Sequence, residues 1–116
     1  MGAMFDLEDV RKRVGGDEQL LLDIIRLFLD DAPPRLTALK AAVDARDVSR
    51  IRSEAHGLRG AAANLSAARV VEAADLLEHM GIEDGIDGVP AAWERLASEA
   101  AALLTALRRF EQTQAL

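Results

Sequence analysis

Asp47–Ala63 reads DVSRIRSEAHGLRGAAA. Asp47 is a good N-cap, and the residues behind it place their apolar side chains at helical rather than alternating spacing. With His56 set to zero and an advance of about 100° per residue, Val48, Ile51, Ala55, Leu58 and Ala62 fall between about −80° and −160°, a single apolar face. His56 lies more than about 100° from the middle of that face. Ser49, Arg52, Ser53, Arg59, Gly60 and Ala63 stand one turn before or after it, within about 60°. The spacing predicts a histidine that projects into solvent between two arginines, over small side chains, from a helix whose other face must be covered by neighbours.

Outward from this helix the chain is punctuated by Gly15-Gly16, Pro33-Pro34, the stretch Ala61 to Ser66, and the Gly81 to Pro90 segment with its three glycines. Each block between them has a 3.6-residue apolar period. Asp6 to Val14 is a short helix with Asp6 as a candidate N-cap. From Asp17, a second cap, a wide stripe of Leu20, Leu21, Ile24, Ile25, Phe28 and Leu29 runs to the double proline, which is expected to kink or end the helix. A further piece carries Leu36, Leu39 and Val43. Ser66 is expected to cap a helix with Val70, Ala73, Ala74, Leu77 and Met80. Pro90, at a first-turn position, opens the last and longest, with Trp93, Leu96, Ala97, Ala100, Leu104 and Leu107. Aromatic residues are few among many alanines and leucines, which favours helix over sheet. Four substantial amphipathic helices with short connections predict an all-α, antiparallel up-down four-helix bundle with a short additional N-terminal helix. Residues 1–3 read as a cloning remnant before Met4, leaving 4–116 as a single domain.

Composition narrows the function. The 116 residues are 50% hydrophobic and 29% charged, with 20 acids against 14 bases and a net charge of −6. Such a chain has no basic field for nucleic acid. It has no apolar run of about 18 residues for a membrane span and opens on no secretion signal, so the cytoplasm is the expected compartment. Cysteine is absent, which removes disulfides, thiol nucleophiles and thiolate zinc sites. The acidic segment Ile82 to Gly88 lacks the alternating ligands and closing glutamate of a calcium loop and reads as a surface turn. No metal site is expected, because one histidine without cysteine or a suitably placed second histidine makes no normal ligand set.

Chemistry near neutral pH rests on two histidines. His79, close to a helix end, suits a structural or solvated role. His56 stands apart because Gly57 and Gly60, each costing a helix interior roughly 1 kcal/mol relative to alanine, flank it. Gly60, on the same face one turn later, is read as clearing one edge of the imidazole for a large partner; Gly57 points elsewhere and has no such reading. An exposed neutral imidazole is a good nucleophile near pH 7. Arg59 one turn away offers an incoming phosphoryl group a planar, permanently charged fork. A surface histidine that merely sits among arginines is the bland alternative.

Ala55-His56-Gly57-Leu58-Arg59-Gly60, continued by Ala61-Ala62-Ala63-Asn64-Leu65, resembles the histidine-containing phosphotransfer (Hpt) domains of two-component phosphorelays, whose motif reads Ala-His-x-Leu-Lys-Gly. The likeness extends over nearly the whole chain, including the Phe28-Leu29-Asp30-Asp31-Ala32-Pro33 junction before the motif. It implies a four-helix bundle with the active histidine exposed at mid-helix. It further implies that His56 is the phosphoacceptor, Arg59 the phosphate-stabilising cation where the family usually has lysine, and Gly60 the clearing glycine. Ala61 and Ser66 stand where the family commonly has serine and glycine, so Ser66 is read as starting the next helix. The implied partners are receiver domains of response regulators or hybrid histidine kinases, with Mg²⁺ held by the receiver and no cofactor bound here. Docking is expected around Ser49, Arg52, Ser53 and Ala63, on a monomer. No P-loop or glycine-rich nucleotide cradle is present, so a carrier rather than a kinase is implied. A histidine-kinase dimerisation helix would have an acid after the histidine, where Gly57 stands. A non-phosphorylated helical adaptor that docks on a kinase or receiver is the alternative from another class.

Overall fold

Asp6, Asp17 and Asp47 each hold extended backbone and start a helix, their carboxylates accepting the backbone N–H three residues on at 3.0, 3.0 and 3.2 Å. In the computed structural model, which describes residues 4–83 and 86–115, these caps open α1 (Leu7–Arg13), α2 (Glu18–Asp44) and α3 (Val48–Ala63). Two more helices follow, α4 (Ala68–Glu83) and, after a 3₁₀ turn at Ile86–Gly88, α5 (Val89–Ala115). No strand occurs among the described residues. The expected cloning remnant at residues 1–3, and Asp84 and Gly85 of the acidic segment, lie outside the described residues.

The double proline neither ends nor divides its helix: α2 runs 27 residues straight through Pro33 and Pro34 and is as long as α5. Proline in a helix interior removes a backbone bond and crowds the preceding turn, at about 3 kcal/mol or more. Here burial outweighs that local penalty. Leu21, Ile25, Phe28 and Ala32 before the prolines and Leu39, Ala42 and Val43 after them are all buried in one core, so a continuous rod serves both halves of the stripe. Pro34 and Asp30 are exposed, and water can reach the carbonyls that the prolines leave unpaired.

Three helices end in the same way, with paired backbone bonds that leave one residue left-handed. After α1 that residue is Gly15, φ 64°, and there Gly16 follows with φ 80° as well. After α2 it is Arg46, φ 54°, with Asp47 N–H donating to the Ala42 carbonyl at 3.0 Å and Arg46 N–H to that of Val43 at 3.1 Å. After α3 it is Ser66, φ 51°, with Ala67 N–H on the Ala62 carbonyl at 3.1 Å. Ser66 therefore closes α3 and does not cap α4. Ala67, whose carbonyl takes the first α4 bond from Val71 N–H at 3.0 Å, is the residue before that helix. The Ser66 hydroxyl is spent on Asp9 of α1 instead.

The four long helices close a ring: α2 packs on α3, α3 on α4, α4 on α5, and α5 returns to α2. Ile51, Ala55, Leu58 and Ala62 of α3 are buried as the stripe predicts, and Val48 at the first turn is half-buried. They meet Leu39, Leu77, Leu96, Leu103 and Leu107 in a single apolar core. The short α1 straps the end of α3, with Val10 buried, Arg13 donating to the Ala63 carbonyl at 2.9 Å, and Asp6 N–H to the Ser66 carbonyl at 3.3 Å. No helix among the described residues is long and apolar enough to cross a membrane.

Arg46 is exposed and holds a conformation that an L side chain adopts at a cost of roughly 1–2 kcal/mol. After the extra chain entropy of glycine is subtracted, Arg46→Gly is expected to raise stability by roughly 0.5–1 kcal/mol in urea unfolding. A lowered midpoint would contradict the left-handed termination of α2.

Candidate functional site

Because α3 buries only one face, its opposite face stays open at mid-helix, and the His56 side chain there is 66% exposed. The ring is nonetheless held. Its Nδ1 lies 3.1 Å from Glu78 Oε2, on α4, and 3.0 Å from Arg59 Nη2. Arg59 Nε donates to the other Glu78 oxygen at 2.9 Å, and Asp75 Oδ1 stands 3.8 Å from the same nitrogen. Glu78 is the hub of this cluster and only 14% exposed. Burial pushes its carboxyl up, but the hydrogen bonds from His56 and Arg59 and their charges more than offset that, leaving it below its ordinary value.

Ser49, Arg52 and Ser53 are exposed, and with His56 and Glu78 they line a groove of about 350 Å³. Ala63, expected at the same rim, is half-buried and does not line that groove; its carbonyl is covered by Arg13. Helical side chains lean toward the N-terminus, and the turn before the histidine shares its groove while the turn after it does not.

That lean bears on the two glycines. A Cβ built on Gly60 meets nothing within 4 Å. It would not crowd the imidazole of the free protein, so the expectation that Gly60 clears the ring itself is corrected; whatever clearance it gives is to an approaching molecule. Gly57 is the glycine that the fold uses: a Cβ there would run into Arg35 Nη1 of α2. Arg35 Nε donates to Asp31 at 2.9 Å, so a guanidinium held from α2 lies over the α3 backbone at the residue after His56, while Glu78 reaches the ring from α4. Sequence reading missed Arg35 and Glu78 alike, since contacts between helices leave no mark in the period of either; the unexplained glycine was the one available signal.

His79 is exposed and turned onto its own helix, Nδ1 lying 2.9 Å from the Asp75 carbonyl oxygen. Asp75, Glu78 and His79 bring possible ligand atoms within 4.8 Å of one another. Both Glu78 oxygens, however, already face His56 and Arg59, and the guanidinium supplies the positive charge that a cation would.

The structure places a solvent-facing imidazole at mid-helix with a cation one turn on, and adds a carboxylate that holds one ring nitrogen. The Hpt domain family model matches residues 23–112. The chain belongs to the Hpt domain family. Hpt domains serve histidine phosphotransfer in phosphorelays, work with the receiver domains and histidine kinases of two-component systems, and are phosphocarriers, not kinases. The structure is similar to the crystal structure of histidine-containing phosphotransfer protein B from Pseudomonas aeruginosa PAO1, with a TM-score of 0.87 over 97% of this chain and 98% of that one. At 22% identity this likeness concerns the fold, the helical bundle of an Hpt domain. No curated protein matches the sequence.

The two glycines of this Hpt domain are expected to respond differently to alanine. Gly60→Ala gains helix propensity in open space and should stabilise by about 1 kcal/mol. Gly57→Ala must displace the Arg35 guanidinium and should gain clearly less, recovering the difference in an Arg35→Ala background. Equal gains in urea unfolding would show that Arg35 does not cover Gly57.

Glu78 gives a pH signature. A carboxyl lowered in the folded state contributes stability that is present above the unfolded value and is lost as pH falls through the folded one. Glu78→Gln is expected to be less stable than wild type at pH 7, and the gap should shrink once the pH drops below about 4. A gap that stays constant down to pH 3 would contradict an ionised Glu78.

Proposed function

We propose that this chain relays a phosphoryl group reversibly between the aspartates of two receiver domains, with His56 as the intermediate acceptor. The observation that carries the reading is the asymmetric setting of the ring. Nδ1 is engaged at the protein surface, and the 66% exposed side chain leaves Nε2 to the visitor.

Nδ1 has one in-plane position for a proton or a lone pair, so it serves either Glu78 as donor or Arg59 as acceptor. The Arg59 side chain, 33% exposed, can find water; the Glu78 oxygen, in a side chain 14% exposed, is far less able to. An unmade bond to a shielded carboxylate is the costlier loss, so the proton sits on Nδ1 and the lone pair on Nε2. Attack on an aspartyl phosphate then forms the Nε2–P bond and breaks the P–O bond, and the aspartate leaves as carboxylate. No proton has to move. The ring becomes an imidazolium that keeps its Nδ1–H, and Glu78 faces the new positive charge. Reversal needs the same parts.

Mg²⁺ is brought by the receiver, on its own acids, and the carrier contributes position. It acts in the cytoplasm as a monomer, with no kinase activity of its own. Docking surrounds His56, and on one side an apolar groove of about 390 Å³ between α1, α2 and α3 adds contact area. Its wall includes Leu27, 67% exposed, and Asp31, the residue that holds Arg35 over Gly57. That continuity with the His56 face supports a receiver, a domain large enough to span both, as the occupant.

Incubated with a radiolabelled phosphorylated receiver, the wild type is expected to take up acid-labile, base-stable label, and His56→Gln none. Equal labelling of the variant would remove His56 as the acceptor.

A further inference from the structure

If Nδ1 is turned toward Glu78 and Arg59, the phosphoryl group has to be met by something else. The in-plane bonding directions of the two ring nitrogens point away from each other, and Arg59 stands at Nδ1, the one that carries no phosphorus. Its Nε is bound to Glu78 at 2.9 Å and its Nη2 is 3.0 Å from Nδ1. The groove that the ring shares, by contrast, is built from the two preceding turns of α3: Ser49, Arg52 and Ser53. Among the described residues Arg52 makes no ion pair. Nor do the side chains of Ser49 and Ser53 hydrogen-bond within the described residues. The chain as a whole, at net −6, repels a phosphoryl dianion, so a local cation and donors are needed where the group lands.

We propose that the groove of Ser49, Arg52 and Ser53 is the cradle for the phosphoryl group on His56 Nε2. Arg52 is the cation that touches the phosphoryl oxygens, the two hydroxyls donate to them, and Arg59 is a positioning residue that acts through Glu78. This rests on the phosphotransfer reading and assigns its parts differently from the motif, in which the cation after the histidine meets the phosphate. Spacing allows it: Arg52 and Ser53 lie four and three residues before His56 and Ser49 seven before it, all on the histidine's face. The Glu78 carboxylate at the edge of the groove does not oppose the dianion, because both its oxygens face cationic or N–H partners.

The test uses phosphoramidate, a phosphodonor with no docking surface, alongside a phosphorylated receiver, and follows phosphohistidine by ³¹P NMR. Arg52→Gln is expected to slow acceptance from phosphoramidate by about 10- to 100-fold, with Arg52→Lys recovering most of it and Ser49→Ala/Ser53→Ala slowing it less. Arg59→Gln should instead shift the ¹⁵N tautomer signature of the His56 ring, which Arg52→Gln leaves unchanged. A wild-type rate for Arg52→Gln with phosphoramidate overturns the cradle. Should only transfer from the receiver slow, Arg52 is a docking residue and the cradle is again wrong. Labelling of His56→Gln would be the separate failure of the phosphotransfer reading itself.

Discussion

The apolar stripe of α3 can be enclosed only once. Ile51, Ala55, Leu58 and Ala62 are fully buried by α2 and α4, and every property of the opposite face follows from that commitment. A helix so gripped has little freedom to roll, because a turn of the rod by one residue would carry Leu58 into water and His56 toward the core. Burial of a leucine is worth about 2 kcal/mol, and several such side chains act together. The exposed histidine is therefore fixed in direction by residues that never touch it, which is what a carrier needs to meet a partner in a single orientation.

Exposure alone does not make a nucleophile. A freely rotating surface imidazole would divide its proton between two nitrogens. In the proposed reading Glu78 removes that freedom from α4, and the hydrogen bonds from His56 and Arg59 hold its carboxyl below the ordinary value. These contacts reach His56 from α4, while Arg35 of α2, paired with Asp31, covers Gly57 next to it. α4 thus contributes a carboxylate and α2 a charged pair to the surroundings of the α3 histidine, whose side chain stays 66% exposed.

Much of this was legible in the sequence, and the failures have physical causes. The capping aspartates and the α3 stripe are local signals and hold in the structure. Helix ends at Arg46 and Ser66 were hidden because a left-handed residue announces itself when it is glycine, as at Gly15, and not when it is arginine or serine. Pro33-Pro34 misled in the opposite sense, since its strong local preference was overridden by a core that spans both sides of it. Solvent exposure of His56 could be calculated from spacing alone. Its partner Glu78 could not, because the period of α4 shows which residues face the core and not which of α3 they meet.

The two glycines beside His56 differ in what surrounds them. Each weakens α3 by roughly 1 kcal/mol relative to alanine, so each needs a reason. For Gly57 the reason is internal: the backbone there makes room for the Arg35 guanidinium and brings α2 close to the histidine. Gly60 has open space around it, and nothing in the molecule would object to a methyl group. What a glycine leaves open without any internal occupant is room for something that arrives from outside. The position lies one turn beyond the histidine on the same face, so the surface that needs this clearance is one that comes down over the imidazole. Under the proposed function, a macromolecular phosphodonor that brings an aspartyl phosphate within bonding distance of Nε2 is the visitor that this clearance suits.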